Sequence, residues 1–334
     1  MATILKVNPD YPERPEIEQA ADVIRSGGLV AFPTETVYGL GANAMDQSAI
    51  QRLFEVKGRP HDNPLIVHIA NLDMLAPIAR GLDARVQALT ARFWPGPLTL
   101  VLERNTAVPS IVSAGLSTIA VRMPNHQVAL ALISAAETPV AAPSANRSGR
   151  PSPTTSQHVE SDLGDQVDLI LDSGPTRIGI ESTVLDMTSA RPAILRPGWI
   201  TRDAVAEIIG PVLEPSPEML ARSPGTRHRH YTPRAPVLLV EKRWRGSLRN
   251  LCLENLKKGR VAYVGHTRLG ITDPQLSAIT LDDSADSYGR RIYAALREMD
   301  EKAPAVMIVE GIEESGEGEA VMERLRRAAS EVIE

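Results

Sequence analysis

A single cysteine, Cys252, stands in 334 residues. That excludes an internal disulfide and any metal site built from several thiolates. Lysine is also scarce early in the chain, Lys6 and Lys57 being the only two before Lys242. The net charge is −5, and the acid surplus lies within residues 1–211. Such a balance gives no global pull toward nucleic acid, so phosphate binding in that region must rest on a local cluster. No apolar run approaches the ~20 residues that cross a bilayer. The stretch MATILKVNPDYPERPEIEQ lacks a signal-peptide pattern. A cytoplasmic protein is expected. There is no G-x-x-x-x-G-K-[ST], no G-x-G-x-x-G after a strand and no H-E-x-x-H.

Hydrophobic content of 43% and charge of 23% are those of a soluble globular protein, and the length allows two domains, each with its own core. Ile17, Ala20, Ala21 and Ile24 recur at helical spacing, and Gly27-Gly28 ends that helix. Asp46 reads as the N-cap of a helix that buries Ile50, Leu53 and Phe54 and stops near Gly58. Asp83 caps another with Val86, Leu89 and Phe93, and residues 127–136 form a further one. Short strands are expected at 29–32, 64–69, 98–102, 118–123, 139–142, 169–171, 183–186 and 193–195. Their uneven alternation with helices predicts an α/β domain on a mixed sheet.

From Pro211 the texture changes. Six prolines, at 211, 215, 217, 224, 233 and 236, mark residues 211–236 as an extended linker. A second, smaller α/β pattern follows over 237–334, with strands at 237–240, 261–264 and 305–309 and helices at 248–257, 285–299 and 319–333. The expected organisation is therefore a domain over 1–210, the linker, and a smaller α/β domain.

Chemistry concentrates between Phe32 and His68. Lys57-Gly58-Arg59 puts two cations just beyond a helix end, and Asn63-Pro64 follows at once. A lone Lys-x-Arg is more often solvated surface; here Gly58 and Pro60 fix the backbone, so Arg59 can fork onto phosphate oxygens while Lys57 acts as a point charge. Ser144 and Asn146, after an apolar strand, supply further donors, although such a loop is often only a turn. Thr34, Thr36, His68, Arg122 and Ser182 suit a small polar ligand, Arg122 pairing with a carboxylate. Each has a structural alternative in strand propensity or local hydrogen bonding. His228 and His230 have no accompanying ligand cluster and read as loop polar groups.

Five segments together resemble the YrdC domain: FPTETVYGLGA (32–42), KGRPHDNPLIVHI (57–69), APSANRSGRPSPT (142–154), IESTVLD (180–186) and ILRPGWIT (194–201). The linker SPGTRHRHYTPRAPV (223–237) and the C-terminal domain resemble the long form of the threonylcarbamoyl-AMP synthase family, with Thr226 where the family usually has Met. The resemblance implies a YrdC-like twisted mixed sheet with flanking helices, then a smaller Rossmann-like α/β domain. It implies synthesis of L-threonylcarbamoyl-adenylate and pyrophosphate from L-threonine, bicarbonate and ATP, with Mg2+ accompanying ATP and Lys57 and Arg59 as catalytic groups. ATP contacts would come from Lys57, Arg59, Asn63, Thr118, Ser144, Asn146, Ser152, Arg196 and, from the linker, Tyr231. Threonine contacts would come from Thr34, Thr36, His68, Arg122, the backbone at Ala142, and Ser182. The linker is expected to cover the site, with Tyr231 over the nucleotide. A transient downstream threonylcarbamoyl transferase that modifies tRNA is implied, with weak or indirect contact to tRNA itself. Carbamoyl-phosphate-dependent carbamoyl adenylation and a non-catalytic RNA-binding module are the alternatives.

Overall fold

The computed structural model of the chain describes residues 2–220 and 230–333. The part of the linker around Thr226 and His228 lies outside the described residues. Two compact units are present. The described residues of the first fall within Met1–Ser148, Ser152–Arg177 and Glu181–His228, and those of the second within Gly149–Pro151, Ile178–Ile180 and Arg229–Glu334.

The first unit carries β1 (Thr3–Lys6), α1 (Arg14–Arg25), β2 (Val30–Phe32), β3 (Gly39–Asn43), α2 (Gln47–Lys57), β4 (Ile66–His68), β5 (Ala79–Arg80), α3 (Ala84–Phe93), β6 (Leu98–Arg104), β7 (Thr118–Arg122), α4 (Gln127–Ala136), β8 (Val140–Ala141), α5 (Ser156–Leu163), β9 (Leu169–Asp172), β10 (Thr183–Asp186), β11 (Ala193–Arg196), α6 (Arg202–Ile209) and α7 (Pro217–Leu220). Its strands form one mixed sheet in the order β1-β9-β2-β3-β8-β4-β7-β6-β10-β11, with β5 beside β6. Local chemistry sets the helix ends. Asp46 accepts from the Ser48 and Ala49 amides at the start of α2, and Gly58, at φ 59°, ends it in the left-handed region. Asp83 caps α3 through Arg85 and Val86.

The two faces of this sheet are covered differently. One face is buried under α2, α3, α5 and α6, with Ile50, Leu53, Phe54, Leu89, Leu100, Val121, Val159, Leu185 and Val205 in one core. On the other face α1 and α4 cover only the β9–β2–β8 side, through Ile17, Ile24, Phe32, Leu132, Val140 and Leu171. The remainder of that face has a small apolar floor, Ile66, Val101, Ala120, Val184 and Leu195, against which Leu213 and Met219 pack. Polar side chains at the ends of β4, β7, β10 and β11 therefore lie on the part of that face that neither α1 nor α4 covers.

Two expectations are corrected. Residues 39–43, where no strand was expected, form strand β3 between β2 and β8. Glycine is needed there because a Cβ on Gly41 would stand 2.8 Å from both Phe32 Cε1 and Val140 Cγ1. The helix expected to run to Ile333 ends at Ala328, and Glu331–Ile333 becomes an edge strand beside the first strand of the second unit. The sequence reading also omitted β1, α5 and α6.

The second unit carries β12 (Val237–Val240), α8 (Leu248–Leu256), β13 (Val261–Gly265), β14 (Leu276–Thr280), α9 (Ala285–Glu301), β15 (Val306–Glu310), α10 (Gly318–Ala328) and β16 (Glu331–Ile333). Its sheet runs β14-β13-β15-β12-β16 and every pairing is parallel. Helical crossovers join parallel strands and cover both faces, which gives the Rossmann-like architecture.

Candidate active site

Strand register assembles the polar groups in two sets. His68 lies opposite Arg122 across β4 and β7, and opposite Val140 across β4 and β8. Leu100 faces Val121, which brings Thr99 level with Arg122. Val184 pairs with Thr99 on one side and with Arg196 on the other. Since side chains alternate along a strand, His68, Arg122, Thr99 and Arg196 share one face and one lateral row.

Arg122 is 3% exposed and its guanidinium is held from several sides. It forms an ion pair with Glu35 at 2.6 Å, donates to Thr36 Oγ1 at 3.0 Å and donates to the Gly96 carbonyl at 3.2 Å. Thr36 Oγ1 is in turn 2.8 Å from Thr34 Oγ1, which donates to the Val37 carbonyl. Burial, with Arg122 alongside, pushes the His68 imidazole down to about 3. The ring is therefore a neutral hydrogen-bonding group beside a permanent cation. At the β10 end, Ser182 Oγ is 2.8 Å from Thr99 Oγ1, and Arg196 donates to the Ser182 carbonyl at 3.0 Å and to its hydroxyl at 3.3 Å.

The second set gathers at the other end of β4. Arg59 is anchored by donating to the carbonyls of Asn63 at 3.1 Å and Pro64 at 2.8 Å. Ile66 pairs with Ala120, so Thr118 lies beside Pro64. The loop after β8 returns to the same place. Lys57 Nζ donates to the carbonyls of Ser144 and Asn146, each at 2.5 Å, and Ser144 Oγ donates to Asn146 Oδ1 at 2.5 Å. Lys57 is buried, and burial followed by the neighbouring Arg59 charge pushes its pKa well below the ordinary lysine value. The two sets are separated by about four strand residues, or ~13 Å.

Other positions fall as follows. Ala142 donates its amide to the Ile66 carbonyl, which fixes the strand end behind Ser144. Ser152 is buried and donates to Glu181 Oε1 at 2.5 Å. Tyr231 belongs to the second unit, where its ring stacks on Tyr293 at 5.3 Å and the Arg324 guanidinium lies 5.7 Å from its centre. Glu35, Thr99 and Glu181 were missed by sequence reasoning. Glu35 lies inside the segment FPTETVYGLGA, but only the tertiary pairing with Arg122 gives it a role. Nothing in sequence marks Thr99.

Fold and site together define an α/β protein in which fixed guanidinium groups, a neutral imidazole and hydroxyls are gathered in two buried polar sets suited to polar or anionic ligands. A family model described as telomere recombination, covering Sua5, YciO and YrdC proteins, matches residues 22–198. A second, described as threonylcarbamoyl-AMP synthase, C-terminal domain, matches residues 200–330. The chain is 45% identical to threonylcarbamoyl-AMP synthase of Pyrococcus abyssi, over 94% of each chain. It is 43% identical to the protein of that name from Bacillus subtilis, over 94% of this chain and 93% of the other. A solved structure of P. abyssi Sua5 complexed with L-threonine superimposes with a TM-score of 0.93 at 42% identity, covering 100% of both chains. The chain belongs to the Sua5/YrdC family of threonylcarbamoyl-AMP synthases, in its long, two-domain form.

Proposed function

We propose that the two sets at opposite ends of β4 are the two substrate sites of one reaction. The chain is an L-threonylcarbamoyladenylate synthase, a nucleotidyltransferase of tRNA modification that uses ATP and threonine. In this reading L-threonine lies at the Arg122 end, its carboxylate on the guanidinium, with Thr34, Thr36, His68, Ser182 and the Ala142 backbone around its remaining polar groups. ATP lies at the Lys57 end, contacted by Arg59, Asn63, Thr118, Ser144, Asn146 and Ser152, and extends toward the threonine row, where Arg196 stands level with Arg122. The observation that carries the proposal is the Arg122 guanidinium, immobilised beside a neutral His68, with the buried Lys57 and Arg59 set at the other end of β4.

The threonine amine and bicarbonate form a carbamate with loss of water. A carbamate oxygen attacks the α-phosphorus of ATP, the bond to the β-phosphate breaks, and pyrophosphate leaves. Two anions have to meet, so the task of the protein is orientation and charge compensation. Lys57 and Arg59 offset the repulsion and the charge gathering on pyrophosphate. No side-chain nucleophile is required. Among the described residues no group of three or more His, Cys, Asp or Glu is placed to cage a metal. That suits Mg2+ held mainly by the phosphates of ATP and water, with Glu181, bonded to Ser152, as the carboxylate at hand. Mg2+ there would supply neutralisation of phosphate charge. The adenylate would pass in the cytoplasm to a transferase that acts on tRNA.

The test is pyrophosphate release and labelled adenylate formation from ATP, radiolabelled bicarbonate and a series of amino acids. Product should require threonine and be lost in Lys57→Ala. Equal turnover with serine would overturn the fit around the threonine side chain.

A further inference from the structure

The second unit has a binding place of its own. Ligands of parallel α/β sheets lie outside the carboxyl ends of strands whose onward connections part in opposite directions. β12 and β15 are such neighbours. The chain leaving β12 returns through α8 to β13, and the chain leaving β15 returns through α10 to β16, on the other side of β12. α8 packs on β13 and β15, whereas α10 packs on β12 and α9, so the two connections cross opposite faces and their first loops separate.

A crevice of about 670 Å³ lies between those loops. That is the size of small-molecule sites. Its charges are not equally committed. Arg326 is locked, forking to Glu241 at 2.7 Å and to both oxygens of Glu314 at 2.5 and 2.6 Å. Lys242 pairs with Glu313 at 2.5 Å across the opening. Arg243 reaches only Glu241, at 3.7 Å, a carboxylate already engaged by Arg326. Arg245 is exposed and its guanidinium makes no ion pair or hydrogen bond among the described residues. Gly246, beside it, has open space where a Cβ would stand, which lets a ligand approach the backbone. Ile312 and Met322 form an apolar wall.

We propose that this crevice binds a phosphate-bearing small molecule of up to mononucleotide size, its anionic group on Arg245 and Arg243 and its body against Ile312 and Met322. Guanidinium groups are the natural partners of phosphate oxygens. The proposal does not depend on the substrate assignment in the first unit.

Titration calorimetry on the full chain with inorganic phosphate, pyrophosphate and AMP tests it. Arg245→Glu and, separately, Arg243→Glu are exposed changes in the second unit at residues that form no part of the proposed substrate sites, so threonine-dependent pyrophosphate release should be retained. At least one of the three probes should bind wild type and bind each variant at least tenfold more weakly. AMP binding without phosphate binding would identify a nucleotide site; comparable binding of all three would identify recognition of the phosphate group alone. Isotherms for all three probes that superimpose between wild type and both variants would overturn the proposal.

Discussion

The Arg122–Glu35 pair separates the structural role of the site from its binding role. Both side chains are about 3–4% exposed, at 2.6 Å from one another. Arg122→Met leaves the Glu35 carboxylate buried without its cation, a change that costs about 3–5 kcal/mol. In a unit of this size, each kcal/mol moves the melting temperature by about 2–4 °C, so a drop of roughly 6–20 °C is expected. The double variant Arg122→Met with Glu35→Gln removes both charges at similar volume and should recover most of that loss, because neutralising a buried pair is often nearly neutral overall. Threonine binding should not recover with it. A hydrogen-bonded charged contact is worth about 1.5–3 kcal/mol, so KM for threonine should rise roughly 10- to 150-fold in both the single and the double variant, with KM for ATP nearly unchanged. Differential scanning fluorimetry and initial rates of pyrophosphate release across threonine concentrations measure both quantities. A double variant that regained stability and ordinary threonine KM together would show that the substrate carboxylate does not lie on Arg122. A double variant no more stable than Arg122→Met would refute the electrostatic account of the pair.

Three further outcomes are expected. Phosphate next to Lys57 raises a pKa that burial and Arg59 hold low, so ATP binding should take up a proton above that lowered value and weaken as pH rises. Calorimetry at pH ~9 in buffers of different ionisation enthalpy reads the uptake, which should vanish in Lys57→Gln. Burial pushes His126 down to about 4, so the neutral ring contributes stability that is intact above the unfolded value of 6.5 and lost as pH falls through 4. His126 Nδ1 also accepts the Val128 amide at the head of α4, a cap that asparagine can replace. His126→Asn should therefore flatten the dependence of unfolding free energy on pH between 6.5 and 4 by up to about 1.4 kcal/mol per pH unit, measured by urea titration. Tyr231→Ala should destabilise the second unit by about 3–5 kcal/mol, through loss of the buried ring stacked on Tyr293. An unchanged melting curve would show that the stack carries no load.

Much of this architecture was legible from local signals. The helices capped by Asp46 and Asp83, the stop at Gly58 and the helix over Gln127–Ala136 appear where cap chemistry and periodicity put them. The same holds for Thr183–Asp186 and Val237–Val240. These features depend on neighbours a few residues apart, so composition and spacing carry them. The glycine-rich β3 was not legible, since its stability comes from ladders to β2 and β8 and from Phe32 and Val140 closing over bare Cα atoms. β16 was hidden for a related reason: apolar Val332 and Ile333 continue a helical pattern until β12 offers them an edge.

The residue types of the site were set by the sequence: Lys57, Arg59, Asn146, His68 and Arg122 stand in segments whose turns and strand ends are read locally. Their arrangement was decided by tertiary structure. Register across β4, β7, β6, β10 and β11 put His68, Arg122, Thr99 and Arg196 in one row, and folding brought Glu35 against Arg122 across 87 positions of chain. Hydrogen-bonded strand pairing and the desolvation of charge act between segments remote in sequence, and a buried charge acquires its partner and its acidity only when those segments meet.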